Sequence, residues 1–227
     1  MISNNNIKIQ LNIELEKAIS EFKTSPNNEK LQIGFDKLIS IDFEAYKVKL
    51  KEEIKRKLSS AWISIENGIN PEQKLDAILF EHFTPDQFNL EALSYGIIDW
   101  KISDLNHIDV DMGCDFDFAD GLEQGDGITL DFFNSYLDYY ETDEKCDLAH
   151  CYRLKGLIAI HESFSELHKE SIFDCINKNE EFYFLVGEHD SFCYAVFSIQ
   201  HELKTVPNTK VIAKAIDWFF ALFKTSS

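Results

Sequence analysis

The sequence predicts an α+β fold, in which an N-terminal layer of helices and further helices pack on an antiparallel sheet. Three observations predict this class. Apolar residues recur at helical spacing through the first 70 residues, short apolar runs bounded by turn residues follow, and helical spacing then returns around a hairpin in the C-terminal half. Helices segregated along the chain from runs of strands are typical of α+β proteins. Because 44% of the 227 residues are hydrophobic, we expect one domain over residues 1–227.

The helical layer is expected to occupy residues 1–70. In residues 12–23, apolar side chains recur on one helical face, namely Leu15, Ala18, Ile19 and Phe22. Asn12 is placed to cap the first turn of this helix. After a break at Pro26 the same spacing resumes at Leu31 and continues, with interruptions, to Ile65. The first third of the chain is therefore predicted to be helical.

The middle of the chain, residues 71–146, is expected to mix strands and loops. Short apolar runs at 76–83 and 90–98 predict a hairpin. A helix over 71–80 is the alternative, since periodicity alone does not separate the two. Residues 128–133 predict a further strand, placed after the turn residues Gly125-Asp126-Gly127.

The last third, residues 147–227, is expected to form a helix, a hairpin and a helix. Residues 147–176 have helical periodicity, weakened at Gly156. Two runs rich in aromatic and β-branched residues, 181–187 and 192–199, then flank a polar tetrad and predict an antiparallel pair. A final helix is predicted over 209–223.

Negative charge is concentrated in residues 104–147, the acidic segment. It holds fourteen acidic residues and one basic residue, so it carries −13 of the net charge of −18. Such a chain repels phosphate backbones and anionic lipid, so we expect neither nucleic acid nor membrane as a partner. We expect no cofactor either, since phosphate-loop and dinucleotide motifs are absent from the sequence.

The sequence favours a cytoplasmic location. Its N-terminus lacks a basic stretch followed by an apolar run, and no apolar stretch reaches the roughly 20 residues of a membrane span. The five cysteines form no Cys-x-x-Cys pair. Buried, reduced thiols are therefore the expected state.

Carboxylates crowd the centre of the acidic segment. Seven of them are our candidate partner-binding residues: Asp109, Asp111, Asp115, Asp117, Asp120, Glu123 and Asp126. Calcium loops also use such residues, but the EF-hand template read from Asp115 meets Ala119, Asp120 and Asp126 at its fifth, sixth and twelfth positions. We therefore assign no metal ligands. The simplest structural interpretation of residues 115–118 is a strand whose aromatic side chains face inward and whose carboxylates face outward.

These observations favour a non-enzymatic interaction module of the immunity or adaptor type, whose acidic surface binds a basic protein. Concentrated charge of one sign speeds association with an oppositely charged partner and rejects competitors. The alternative is a divalent-metal-binding protein or metal-dependent enzyme that uses the carboxylates of residues 109–126, with His107 as a further ligand.

Histidines supply the other candidate chemistry. His150, His161 and His168 share one face of the predicted helix with apolar residues, so we expect them to pack against the core, with metal binding as the alternative. His189 lies in the predicted hairpin turn beside Glu188. We interpret this tetrad as a turn, and catalysis by His189 with a distant carboxylate is the alternative.

Overall fold

Helices and strands follow one another in the order expected of the α+β class. The computed structural model describes residues 2–25, 29–60, 62, 70–82, 91–101, 105–113, 115–130, 143–189 and 193–200. Within these residues the α-helices are α1 (Asn4–Thr24), α2 (Glu29–Ser40), α3 (Glu44–Ser60) and α4 (Asp143–Lys169). The strands are β1 (Leu75–His82), β2 (Glu91–Ile98), β3 (Asp109–Val110), β4 (Asp117–Phe118), β5 (Gly125–Thr129), β6 (Lys178–Glu188) and β7 (Cys193–Gln200). The predicted fold class and C-terminal-half hairpin are confirmed.

Helix α1 begins eight residues before its predicted start. Its cap is Ser3, whose side chain accepts a hydrogen bond from the Asn6 backbone. Asn12, the predicted cap, lies inside the helix and donates to the Lys8 carbonyl at 2.7 Å. The earlier start is favourable because Ile7 and Leu11 become fully buried on the face that also buries Phe22.

The sheet is mixed, because one of its strand pairs is parallel. The strand order is β3-β7-β6-β1-β2-β4, and β5 also pairs with β2. The hairpin predicted from residues 76–98 is confirmed as antiparallel β1 and β2, and the alternative helix over 71–80 is wrong. Strand β1 pairs in parallel with β6, whereas a wholly antiparallel sheet was expected. Parallel neighbours need a crossover connection, and α4 lies between them in the chain.

Helices cover one face of the sheet, which we call the helix face. The Phe164 ring of α4 lies 4.7 Å from that of Phe184, 6.1 Å from that of Phe80 and 6.3 Å from that of Phe197, ring centre to ring centre. Successive strand residues point to opposite faces. Leu79, next to Phe80, therefore points to the other side, which we call the open face.

Strand β5 begins at the glycines that were predicted to form a turn. Gly125 pairs with Ser94 of β2, and Gly127 approaches β2 so closely that an added Cβ would lie 1.6 Å from the Ala92 carbonyl oxygen. Gly127 therefore permits close packing of two backbones.

Several predictions fall outside the described residues. These are the helix over 209–223, the strand residues 131–133, the turn residues 190 and 191, and the strand residue 192. Over the part of the chain that the structure describes, none of the helices combines the length and apolar character required to cross a bilayer.

Candidate acidic interaction site

All seven candidate carboxylates lie at the surface, in segments that run from one sheet edge to the other. Asp109 is in β3, Asp117 in β4 and Asp126 in β5, with the remaining members in the connections between these strands. All seven residues are exposed. We call this set the acidic surface.

Apolar side chains between the carboxylates attach the acidic surface to the core. Val110, Ala119, Leu122 and Ile128 are each no more than 3% exposed. The carboxylates point outward because their apolar neighbours are buried. Phe118 departs from the expected inward orientation of aromatics, since it is 43% exposed.

Five members of the acidic surface have no cation within ion-pair distance in the described structure: Asp111, Asp115, Asp117, Asp120 and Glu123. The other two have a basic side chain in range, which for Asp109 is a histidine that is a cation only when protonated. Asp126 lies 3.4 Å from the nearly buried Lys57 ammonium, and Asp109 lies 3.2 Å from His107 Nδ1. Most of this charge is therefore not neutralised by the described residues.

Three other lysines of α3 pair elsewhere, with two glutamates of α4 and with Glu170 immediately after it. Both sets are spaced four residues apart, and they match in the pairs Lys47–Glu162, Lys51–Glu166 and Lys55–Glu170. Lys8 of α1 adds a second contact to Glu162, at 3.4 Å. Partial burial works against ionisation of Glu162, but its lysine neighbours still hold its pKa below the usual value. The basic run of α3 thus joins two helices on the helix side.

A pocket of about 430 Å³ opens on the open face beside the acidic surface. Its apolar residues come from strands β1, β3 and β7 and from the loop after β3: Leu79, Val110, Met112, Phe116 and Cys193. Three acidic residues, Glu81, Asp111 and Glu188, also line it, although the Glu188 carboxylate itself points to Arg153 of α4 on the helix face. Of these residues, Glu81 belongs to no motif in the sequence, and Glu188 belongs to the polar tetrad that we interpret as a turn.

The Glu81 and Glu188 carboxylates each contact a basic residue. His189 Nδ1 lies 3.2 Å from Glu81 Oε2, and the Tyr95 hydroxyl also hydrogen-bonds to Glu81. Arg153 of α4 donates to Glu188 at 2.9 Å. The structure thus brings His189 to a distant carboxylate. The parallel pairing of β1 and β6 creates this arrangement, so hydropathy patterns could not have indicated it.

Cys193 lines the pocket as a protonated thiol. Burial raises its pKa to about 12, and the nearby Asp111 and Glu81 charges act in the same direction. Its Sγ donates to the Val110 carbonyl at 3.4 Å. Since thiolate is the nucleophilic form, this environment does not suit nucleophilic catalysis.

Two of the three aligned histidines pack between α4 and the sheet. His161 is 4% exposed, and its Nδ1 donates to the Val196 carbonyl at 2.8 Å, since a carbonyl can only accept. The His161 and His168 rings lie 5.9 and 5.6 Å from the Phe197 ring. His150, also on α4, is half-buried. For His161 and His168, the predicted packing role fits these contacts.

Acid is expected to destabilise the fold through two of these histidines. Burial lowers the pKa of both His150 and His161 below the value of about 6.5 that they have when unfolded. The unfolded chain therefore binds more protons, so stability is lost as pH falls from about 6.5 through the folded-state pKa values. The slope is at most about 1.4 kcal/mol per pH unit for each histidine.

Chemical denaturation between pH 8 and pH 5 measures this slope. His161→Gln should reduce it, because the buried imidazole responsible for part of the slope is removed. An equal slope in wild type and His161→Gln would contradict the assignment to His161.

The metal alternative gains no support from the described residues. Nowhere among them do three or more His, Cys, Asp or Glu side chains come together in an arrangement that could hold a metal ion.

Comparison with known proteins found no matching family model, no matching curated protein and no matching solved structure.

Proposed function

We propose that this chain is a non-enzymatic, cytoplasmic protein-interaction module, and that its acidic surface binds a basic protein. The proposed role is of the immunity or adaptor type, in which occupying a basic partner is itself the function. Nucleic acid and membranes are not the proposed partners, because their phosphates would be repelled.

One observation carries the proposal: the separation of compensated from uncompensated charge. Three lysines of α3 are paired with glutamates on or directly after α4, while five carboxylates of the acidic surface have no described cation in range. Self-repulsion of uncompensated charge disfavours the compact state. A basic partner would relieve this repulsion and gain long-range attraction, which speeds diffusional encounter.

An exposed aromatic side chain lies within the same surface. The Phe118 ring is centred 5.4 Å from both the Tyr95 and Phe116 rings, directly beside Asp117 in the chain. Aromatic anchors surrounded by polar groups are typical of protein interfaces. Phe118 therefore supports a protein partner over a small cation.

Neutralising part of the acidic surface is expected to slow association. Bead-bound protein would first capture partners from extract of the cells that produce it, and association rates would then be measured on the purified partner. The triple variant Asp117→Asn, Asp120→Asn, Glu123→Gln should associate about tenfold more slowly than wild type at low salt. The wild-type rate should itself fall steeply as salt is added.

A second triple variant provides a matched control. Glu16→Gln, Glu29→Gln and Glu52→Gln remove the same charge from exposed positions on α1, α2 and α3. This control should keep most of the wild-type rate. Equal slowing by both triple variants would show that net charge alone acts, and a salt-insensitive complex or an acidic partner would overturn the proposal.

A further inference from the structure

The pocket on the open face has the size and lining to accommodate a side chain of another protein. Its apolar wall is built from β1, β3, β7 and the loop after β3, and its volume is about 430 Å³. Gly187 leaves room within it, because an added Cβ would lie 2.6 Å from Cys193 Cβ. The cavity therefore depends on a close approach of β6 and β7 that only glycine permits.

The charge of the pocket favours a cation. Glu81 and Asp111 line it, whereas the Glu188 carboxylate points to Arg153 of α4 on the helix face. The open-face side of the pocket therefore presents two carboxylates, with His189 beside Glu81 as the described basic group. A ligand that fits must combine an apolar stem, for the walls, with a positive head.

We propose that this pocket binds an arginine side chain of the basic partner, an inference that rests on the proposed function. The planar guanidinium stacks on aromatic rings and donates to more than one carboxylate at once, and the pocket offers both the Phe116 ring and carboxylates from different segments. A lysine ammonium matches only the charge.

Internal contacts hold one of the pocket's carboxylates in place before any ligand arrives. Glu81 is fixed by His189 and Tyr95. Asp111 accepts from the Gly113 backbone at 3.0 Å and is otherwise exposed. Preorganised groups lose less freedom on binding. Asp111 is therefore the pocket's most accessible carboxylate for the guanidinium.

Methionine NMR tests the pocket directly. The chain has two methionines, Met1 and Met112, and Met112 lines the pocket. In protein labelled with [methyl-¹³C]methionine, N-acetyl-argininamide should shift the Met112 resonance saturably, with a dissociation constant on the order of 1 mM for so small a fragment. N-acetyl-citrullinamide, which has nearly the same shape without the charge, should produce no saturable shift.

Substitutions show which carboxylate binds the fragment. Asp111→Asn should weaken fragment binding about tenfold, as loss of a charge-assisted hydrogen bond implies. Asp120→Asn, on the acidic surface but outside the pocket lining, should leave it unchanged. An unmoved Met112 resonance, or equal binding of N-acetyl-lysinamide, would overturn the arginine assignment.

The proposals for the pocket and for the acidic surface can be refuted separately. The triple variant at Asp117, Asp120 and Glu123 should still bind the fragment, because none of these residues lines the pocket. Its association rate with the partner reports on the acidic surface alone. If the triple variant associates slowly with the partner and the wild-type protein does not bind the fragment, the arginine-binding role of the pocket is refuted and the proposed function still stands.

Discussion

Phe164→Ala is expected to destabilise the protein by about 3–5 kcal/mol, the usual cost of deleting a buried phenylalanine ring. Phe164 is fully buried in α4 and contacts four other phenylalanine rings, those of Phe80, Phe173, Phe184 and Phe197. These rings come from two central strands, a third strand and the short helix Ile172–Cys175. Their separate attachments prevent them from collapsing fully into the space left behind.

Denaturant unfolding monitored by circular dichroism measures the loss. Phe118→Ala makes the same chemical change at a residue that is 43% exposed, so it should cost no more than about 1.5 kcal/mol, the upper value of an aromatic pair contact. Similar losses at the two positions would contradict the view that α4 is joined to the sheet through Phe164.

Gly127→Ala is the second substitution with a large expected effect. The added methyl would lie 1.6 Å from the Ala92 carbonyl oxygen and 2.4 Å from its carbonyl carbon, and both atoms are backbone. Because backbone cannot rotate away as a side chain can, β5 must separate from β2. We expect a loss of about 3 kcal/mol, at the upper end of the cost of overpacking.

Gly125→Ala, in the same strand, is the matched control. Its new methyl would meet Ser94 Oγ at 3.0 Å and a Leu122 side-chain carbon at 3.1 Å, and both side chains can shift. The unfolding free energy of this variant should stay within about 1 kcal/mol of wild type. Alanine lowers the conformational entropy of the unfolded chain relative to glycine, which offsets part of the strain in the folded state. Equal thermal shifts in the two variants would show that the close approach at Gly127 is unimportant.

Helices and strands were predictable from sequence wherever one face of an element is buried. The aromatic and β-branched runs of β6 and β7 indicated an antiparallel hairpin, which the structure confirms. Ends were less predictable: α1 starts at Asn4, because Ile7 and Leu11 find a core to pack against. Gly125 and Gly127 resemble turn residues in sequence, and their real role depends on a second backbone that sequence does not display.

The parallel pairing of β1 with β6 had the largest consequence that sequence did not indicate. It aligns Glu81 with Gly187 and His82 with Glu188, residues more than a hundred positions apart in the chain. The pocket, and the contact between His189 and Glu81, follow from this register. Long-range register depends on how whole elements pack, so local composition carries little information about it.

By itself, the sequence determined the α+β character of this chain, the concentration of charge between residues 104 and 147, and the exposure expected of its carboxylates. These properties are local: they depend on side-chain chemistry and on the periodicity of apolar residues. Only the tertiary structure decided which charges are compensated. Ion pairing depends on distances of a few ångströms between separate elements, and packing alone placed three lysines of α3 against glutamates on or directly after α4 and left five carboxylates of the acidic surface without a described cation.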